Sequence, residues 1–227
     1  MNQYPYKSRN RKVLAKLRKE RDYTVWYRPG VSNLQGLISG VTKPLVEIGG
    51  PTPDGFYFLD NLELPSKIIV TNISSNPMPY SSEAEEIAHH ISKIMDARKM
   101  PYEDGSIGCF LMSGMSMTND WYMELSEADR EKQAEQIESE SDIAMLELAQ
   151  AALGTIKSSE AKWAQRLQIF SEVERTLTDG GLFFTDGSLA EIIVLKNLGF
   201  RLLVYTQEHI RPEQNWDGLF YEFVVQK

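Results

Sequence analysis

Pro44-Leu45-Val46-Glu47-Ile48-Gly49-Gly50-Pro51-Thr52-Pro53-Asp54-Gly55 is the stretch on which the fold turns. Its first part is apolar apart from one acid, short enough for a buried strand and too short for a helix. Its second part combines Gly49, Gly50 and Gly55 with Pro51 and Pro53. Such residues stop a strand and build a turn whose backbone can lie close against a ligand. A dinucleotide-binding turn would read G-x-G-x-x-G, and this one does not.

Working outward, strand and helix patterns alternate. Lys67-Ile68-Ile69-Val70-Thr71-Asn72 is β-branched and apolar without period-two alternation, the mark of a parallel strand covered on both faces. Residues 81–89 have helical character, 91–95 form a short third strand, and 106–112 form a fourth apolar run. A helix-like stretch, 160–177, meets the stop Asp179-Gly180-Gly181 and leads into a fifth strand, Leu182 to Thr185. A helix at 188–197 precedes a sixth strand over 200–205, and Leu219 to Val225 closes the chain as a seventh. This order predicts an α/β fold with a mostly parallel sheet.

One region breaks the alternation. About 70 residues separate the fourth and fifth strands, where a crossover usually needs far fewer. Residues 126–142 are strongly polar and 143–156 are rich in Ile, Leu, Met and Ala, which predicts an inserted helical pair spanning about 117–160. It reads either as a decorated crossover or as a lid over a site beyond the carboxyl ends of the strands.

Composition removes several chemistries. Hydrophobic residues make up 42% and charged residues 25%, enough for a sizeable core. Cys109 is the one cysteine, so there is no disulfide framework and no thiolate cluster for zinc or iron–sulfur. His89, His90 and His209 show no metal-binding spacing. No apolar run approaches the roughly 18 residues of a membrane span, and the basic N-terminus lacks the apolar core of a secretory signal. A cytoplasmic, metal-free protein is the expectation. Net charge is −8, but residues 1–30 carry nine Lys/Arg against two acids while the rest carries 15 bases against 30 acids.

Three motifs, read together, carry a family resemblance. An acid followed by glycines at Glu47-Ile48-Gly49-Gly50 resembles the first motif of class I S-adenosylmethionine (SAM) dependent methyltransferases. Asp96-Ala97-Arg98-Lys99-Met100-Pro101-Tyr102-Glu103-Asp104-Gly105-Ser106 resembles that family's adenine-side segment: an Asp-Ala pair, a Pro-aromatic, then Asp-Gly-Ser before the fourth strand. Phe170 to Gly181, with Arg175-Thr176-Leu177-Thr178-Asp179-Gly180-Gly181, is similar to the family's helix ending in Arg-x-Leu-x-x-Gly-Gly before strand five. The likeness spans about 41–113 and 160–227 and is closest to the small-molecule group that includes quinone-biosynthesis enzymes. It implies a Rossmann-like, seven-stranded, mostly parallel sheet with a reversed last strand, helices on both faces, and an N-terminal basic helical cap segment over 1–40 ahead of a methyltransferase-like domain over 41–227.

The resemblance also implies roles. Glu47 faces the methionine amino end of SAM, and Gly49 and Gly50 let the backbone lie against it. Asp96 accepts from the adenine amino group, and Ala97 offers its backbone N–H to the ring. Ile73 packs on an adenine face, Asn72 stands at the ribose, and Ser113 borders the transferred methyl. Tyr23, Trp26 and Tyr27 help to build a pocket for a small-molecule acceptor. No catalytic base is assigned, because the sulfonium methyl is already electrophilic and positioning supplies much of the acceleration.

This chain also departs from the family pattern. Pro51 stands where a second motif glycine is usual, which removes a donor and stiffens the loop. Asn72 replaces the acid that grips both ribose hydroxyls, so the charge-assisted part of that grip is lost. Gly108 stands where an Asp is frequent. Alternative readings are therefore a non-catalytic binding module of the same fold, or a nucleic-acid methyltransferase using the basic N-terminal segment. The acidic body argues against an extended nucleic-acid grip, because phosphate contacts need clustered cations. Packing of the basic segment against that body, as part of the pocket, is the simpler account. Asp186 is expected to cap the helix from 188, and the acceptor and the oligomeric state are unreadable.

Overall fold

The computed structural model describes residues 25–27, 34–50, 62–64, 68–75, 91–112, 160–187, 189–209 and 219–227. The inserted stretch 117–156, the helix expected over 81–89, and residues 1–24 lie outside the described residues.

The apolar segments form the strands they predict. These are β2 (Leu45–Ile48), β3 (Ile68–Asn72), β4 (Lys93–Ile94), β5 (Ile107–Met112), β6 (Leu177–Gly187), β7 (Arg201–His209) and β8 (Leu219–Gln226). Three described helices accompany them: α1 (Leu34–Ser39), α2 (Glu160–Thr176) and α3 (Leu189–Asn197). All seven expected strands join one sheet, and an eighth, β1 (Val25–Tyr27), adds to its edge, giving the order β1-β7-β8-β6-β5-β2-β3-β4. β2 to β6 pair in parallel, whereas β8 runs antiparallel to both β6 and β7. The reversed last strand is thus present, wedged between β6 and β7.

Both faces of the sheet are covered, as the missing alternation in β3 implied. Val46, Ile48, Phe110, Met112 and Phe183 share one apolar cluster with Phe170 and Val173 of α2 and with Ile192 and Leu195 of α3. Their sequence neighbours Leu45, Cys109, Leu111, Leu182 and Phe184 share the opposite cluster with Ile38 of α1. Successive residues point to opposite faces, so odd and even positions of β2 and β5 feed separate cores. The buried Cys109 thiol is pushed far above its ordinary pKa by desolvation, which marks it as packing rather than a nucleophile.

One strand boundary differs from expectation. The strand expected over 182–185 is β6, which begins at Leu177, directly after α2 and five residues before Leu182. Asp179-Gly180-Gly181 then forms an irregularity in which Ile107 faces Leu177 and Cys109 already faces Leu182. Gly180 takes a positive φ of 75° there, and its N–H donates to the Lys227 carbonyl at 2.9 Å. The segment 1–40 contributes β1 to the sheet and Ile38 to the core. The edge of β7 explains the first: an unpaired strand edge takes up a short β-prone segment, here Val25-Trp26-Tyr27 opposite Glu208, Gln207 and Thr206. No described helix is long and apolar enough to cross a membrane.

Candidate functional site

β2 lies between β3 and β5, and the chain leaves β2 first towards β3 and β4, then returns to the other side for β5 and β6. That reversal is a topological switch point, and ligands of open α/β sheets bind in the crevice beyond the strand ends there. The turn after β2 closes one side of that crevice. Gly49 adopts a φ of 72°, a left-handed conformation that a side chain would strain. Gly50 is required for space: a Cβ would come 2.3 Å from Glu47 Cδ and 2.6 Å from each carboxylate oxygen. Glu47 is fully buried, with its carboxylate packed against the turn at Gly50.

β3 holds the turn in place. The Gly50 N–H donates to the Thr71 carbonyl at 2.9 Å, and the Thr71 hydroxyl donates to the Glu47 carbonyl at 2.6 Å. Asn72 Nδ2 donates to the Gly50 carbonyl at 2.8 Å, and Asn72 Oδ1 accepts from the Ser74 N–H at 3.3 Å. The side chain that the sequence places at a ribose is thus engaged with the protein's own backbone. A carboxylate could not donate to Gly50, which gives the Asn a local purpose. Beside it Ile73 leaves 65% of its surface exposed, an apolar platform at the strand end.

The Asp96 segment follows β4, two strand spacings from β2, or about 10 Å. The Asp96 carboxylate accepts three N–H groups of Arg98 in four contacts: Nε, shared between Oδ1 at 2.9 Å and Oδ2 at 3.2 Å, Nη2 to Oδ2 at 2.7 Å, and the backbone N–H to Oδ1 at 2.9 Å. These bonds, the side-chain ones foremost, hold its carboxyl below the ordinary 3.8. The Ala97 side chain is buried in the core. Among the described residues its N–H meets no acceptor.

The rest of this motif is a clasp. Arg175 donates to the carbonyls of Tyr102 and Met100 and to the carboxylates of Asp104 and Glu172. Glu172 in turn accepts from the Met100 N–H at 2.7 Å. The Asp-Gly-Ser and Arg-x-Leu signatures therefore fasten the 100–105 loop to α2. Gly108, the departure in β5, sits where a Cβ would lie 2.6 Å from Val41 Cγ1, so the chain entering β2 excludes an Asp there.

The sequence reading missed a buried cluster at the ends of β5 and β6. Arg166 of α2 pairs with Glu191 of α3 at 2.6 Å, donates to the Asp186 carbonyl at 3.2 Å, and reaches Met112 Sδ at 3.3 Å. Its guanidinium also lies 4.8 Å from the Phe170 ring centroid. The signal was available: Arg166 precedes Ile169, Phe170 and Val173 at helical spacing, a cation inside an apolar stripe. Asp186 is buried three residues before Leu189, the first residue of α3.

The turn at Glu47-Gly49-Gly50, Asn72, Ile73, Asp96 and Ala97 stand together at the strand ends on the β2–β4 side. Trp26 and Tyr27 do not join them, because β1 lies five strand spacings from β2, about 24 Å. Tyr23 and Ser113 lie outside the described residues. Among the described residues no group of three or more His, Cys, Asp or Glu is placed to hold a metal ion.

The strand order and switch point define a Rossmann-like sheet with a reversed strand near one edge. Solved structures similar to the chain include the cyclase SpnF, 11% identical over 86% of this chain and 79% of that one, with a TM-score of 0.46. A SAM-dependent methyltransferase from Methanosarcina mazei is 11% identical over 82% of this chain and 92% of its own, with a TM-score of 0.44. Geranyl diphosphate C-methyltransferase from Streptomyces coelicolor, solved with geranyl diphosphate and S-adenosylhomocysteine, is 8% identical over 82% and 73%, with a TM-score of 0.44. No protein-family model and no curated protein sequence matches the chain. At these scores the likenesses carry no weight of their own, and the fold rests on strand order and register.

Proposed function

We propose that the chain binds SAM across the ends of β2, β3 and β4 and transfers its methyl group to a small-molecule acceptor. The observation that carries this reading is the placement, at the ends of adjacent strands, of the left-handed Gly49 turn, the Asp96 carboxylate and an Ala97 N–H that meets no acceptor among the described residues. A donor and an acceptor on adjacent residues match the ring nitrogen and exocyclic amine of adenine, and Ile73 offers an apolar face beside them. Gly49 and Gly50 would lie against the methionine end, with the Glu47 charge beside Gly50 favouring an ammonium. Bound SAM supplies an electrophilic methyl carbon; the protein's own residues orient it and exclude water. Ser113 would border the methyl, and the 117–160 insertion with the N-terminal segment around Tyr23 would enclose the acceptor.

Calorimetry with SAM and S-adenosylhomocysteine tests the reading. Binding in the micromolar range, weakened about tenfold or more in Asp96→Ala, is expected. An absence of heat at millimolar ligand overturns it. The engagement of Asn72 with Gly50 and Ser74 favours a second reading, a non-catalytic module of this fold with a weak ribose grip. That reading predicts cofactor binding without methyl transfer to any acceptor in a small-molecule panel.

A further inference from the structure

The Asp96–Arg98 pair is unusual for its economy. A carboxylate offers about four lone-pair positions. Oδ1 takes the Arg98 backbone N–H and Nε, both at 2.9 Å, and so is filled. Oδ2 takes Nη2 at 2.7 Å and only a long share of Nε at 3.2 Å. One acceptor position remains, on a side chain with 40% of its surface open, next to the Ala97 N–H. Two residues of spacing and a planar guanidinium fix the carboxylate's rotation, because a bidentate fork tolerates little twist. Without Arg98 the Asp96 side chain would rotate freely and be hydrated on both oxygens.

We infer that Arg98 is a positioning residue that orients the one remaining Asp96 lone pair towards an exocyclic amine and thereby selects a 6-amino over a 6-oxo purine. This rests on the cofactor reading above. Arg98 does not touch the nucleobase in this scheme; it acts through Asp96. It also explains why an exposed side chain is spent on so complete a set of contacts, since exposed ion pairs add little to stability.

S-adenosylhomocysteine and S-inosylhomocysteine, titrated calorimetrically into the wild type, Arg98→Ala and Arg98→Lys, separate the possibilities. The wild type should prefer the adenosyl ligand by about tenfold or more, the worth of one charge-assisted hydrogen bond. In Arg98→Ala that preference should shrink by about threefold or more with inosyl affinity unchanged, leaving the part due to the Ala97 N–H meeting a protonated ring nitrogen, and Arg98→Lys should fall between, for want of a fork. Circular dichroism melts of the three proteins should coincide. An Arg98→Ala variant that keeps the full preference, or binds the adenosyl ligand more tightly, overturns the inference and leaves the cofactor reading intact. A wild type that binds neither ligand overturns both.

Discussion

Two arginine–carboxylate pairs stand at the carboxyl ends of the same sheet and differ in almost everything but chemistry. Arg166 and Glu191 meet at 2.6 Å with 2% and 0% of their side chains exposed. Arg98 and Asp96 meet at 2.7 Å with 38% and 40% exposed. The first joins three elements: α2, α3 and the ends of β5 and β6 share one guanidinium. The second joins residues two apart on one loop. Burial sets what each pair can do. Removing one member of a buried pair strands a charge in low dielectric, whereas an exposed pair is screened and hydrated when broken. The buried pair therefore belongs to the architecture, and the exposed one is at liberty to serve a ligand.

The sharpest way to break that distinction is Arg166→Ala. It leaves the Glu191 carboxylate inside the protein without the guanidinium and should cost about 3–5 kcal/mol, read from urea denaturation. An Arg166→Met, Glu191→Leu double variant should recover much of that loss, since apolar replacements of similar volume often match a buried pair. If Arg166→Ala proves no more harmful than Arg98→Ala, burial is not what separates the two pairs.

Gly50→Ala asks a similar question of the turn. Its Cβ would meet the Glu47 carboxylate, which is fully buried and has little room to retreat. We expect a loss of about 1–3 kcal/mol together with weakened cofactor binding. The same substitution in a Glu47→Ala background should cost clearly less, because the two sites share one space. Additive losses would mean that the glycine serves only its backbone.

How much of this was legible in the sequence follows from range. β2, β3 and β5 were readable because apolar runs without alternation require cover on both faces, and the Gly49 turn was readable because punctuation is local. The roles of Asn72 and Gly108 were not. Asn72 looked like a substitute for a ribose acid, yet its partners, Gly50 and Ser74, include a carbonyl that becomes a neighbour only when β3 pairs with β2. Gly108 reads in sequence as a lost acid, yet Val41 fills the space an Asp would need. Arg166 is the hardest case, because its three partners lie 20, 25 and 54 residues away. The pairing of Val25-Trp26-Tyr27 with β7 is equally hidden, since nothing in three β-prone residues names the edge they will join. In each case the sequence shows the group and conceals the partner.

The smallest expected effect lies between the two pairs in exposure. Glu172 is part-buried, and the hydrogen bonds from Arg175 hold its carboxyl below the ordinary 4.5. A carboxyl with a depressed folded pKa stabilises the protein fully above its unfolded value. That contribution fades as pH falls from about 4.5 through the lower folded value. Glu172→Gln should therefore flatten the stability–pH curve in that window and lower stability at neutral pH, while remaining close to the wild type at the acid end. Asp96, depressed in the same direction but about 40% exposed, should contribute a shallower slope below its ordinary 3.8. Urea melts at a series of pH values for Glu172→Gln and Asp96→Asn would measure both. A steeper loss of slope in Asp96→Asn would reverse the order of the two and make the exposed pair the structural one.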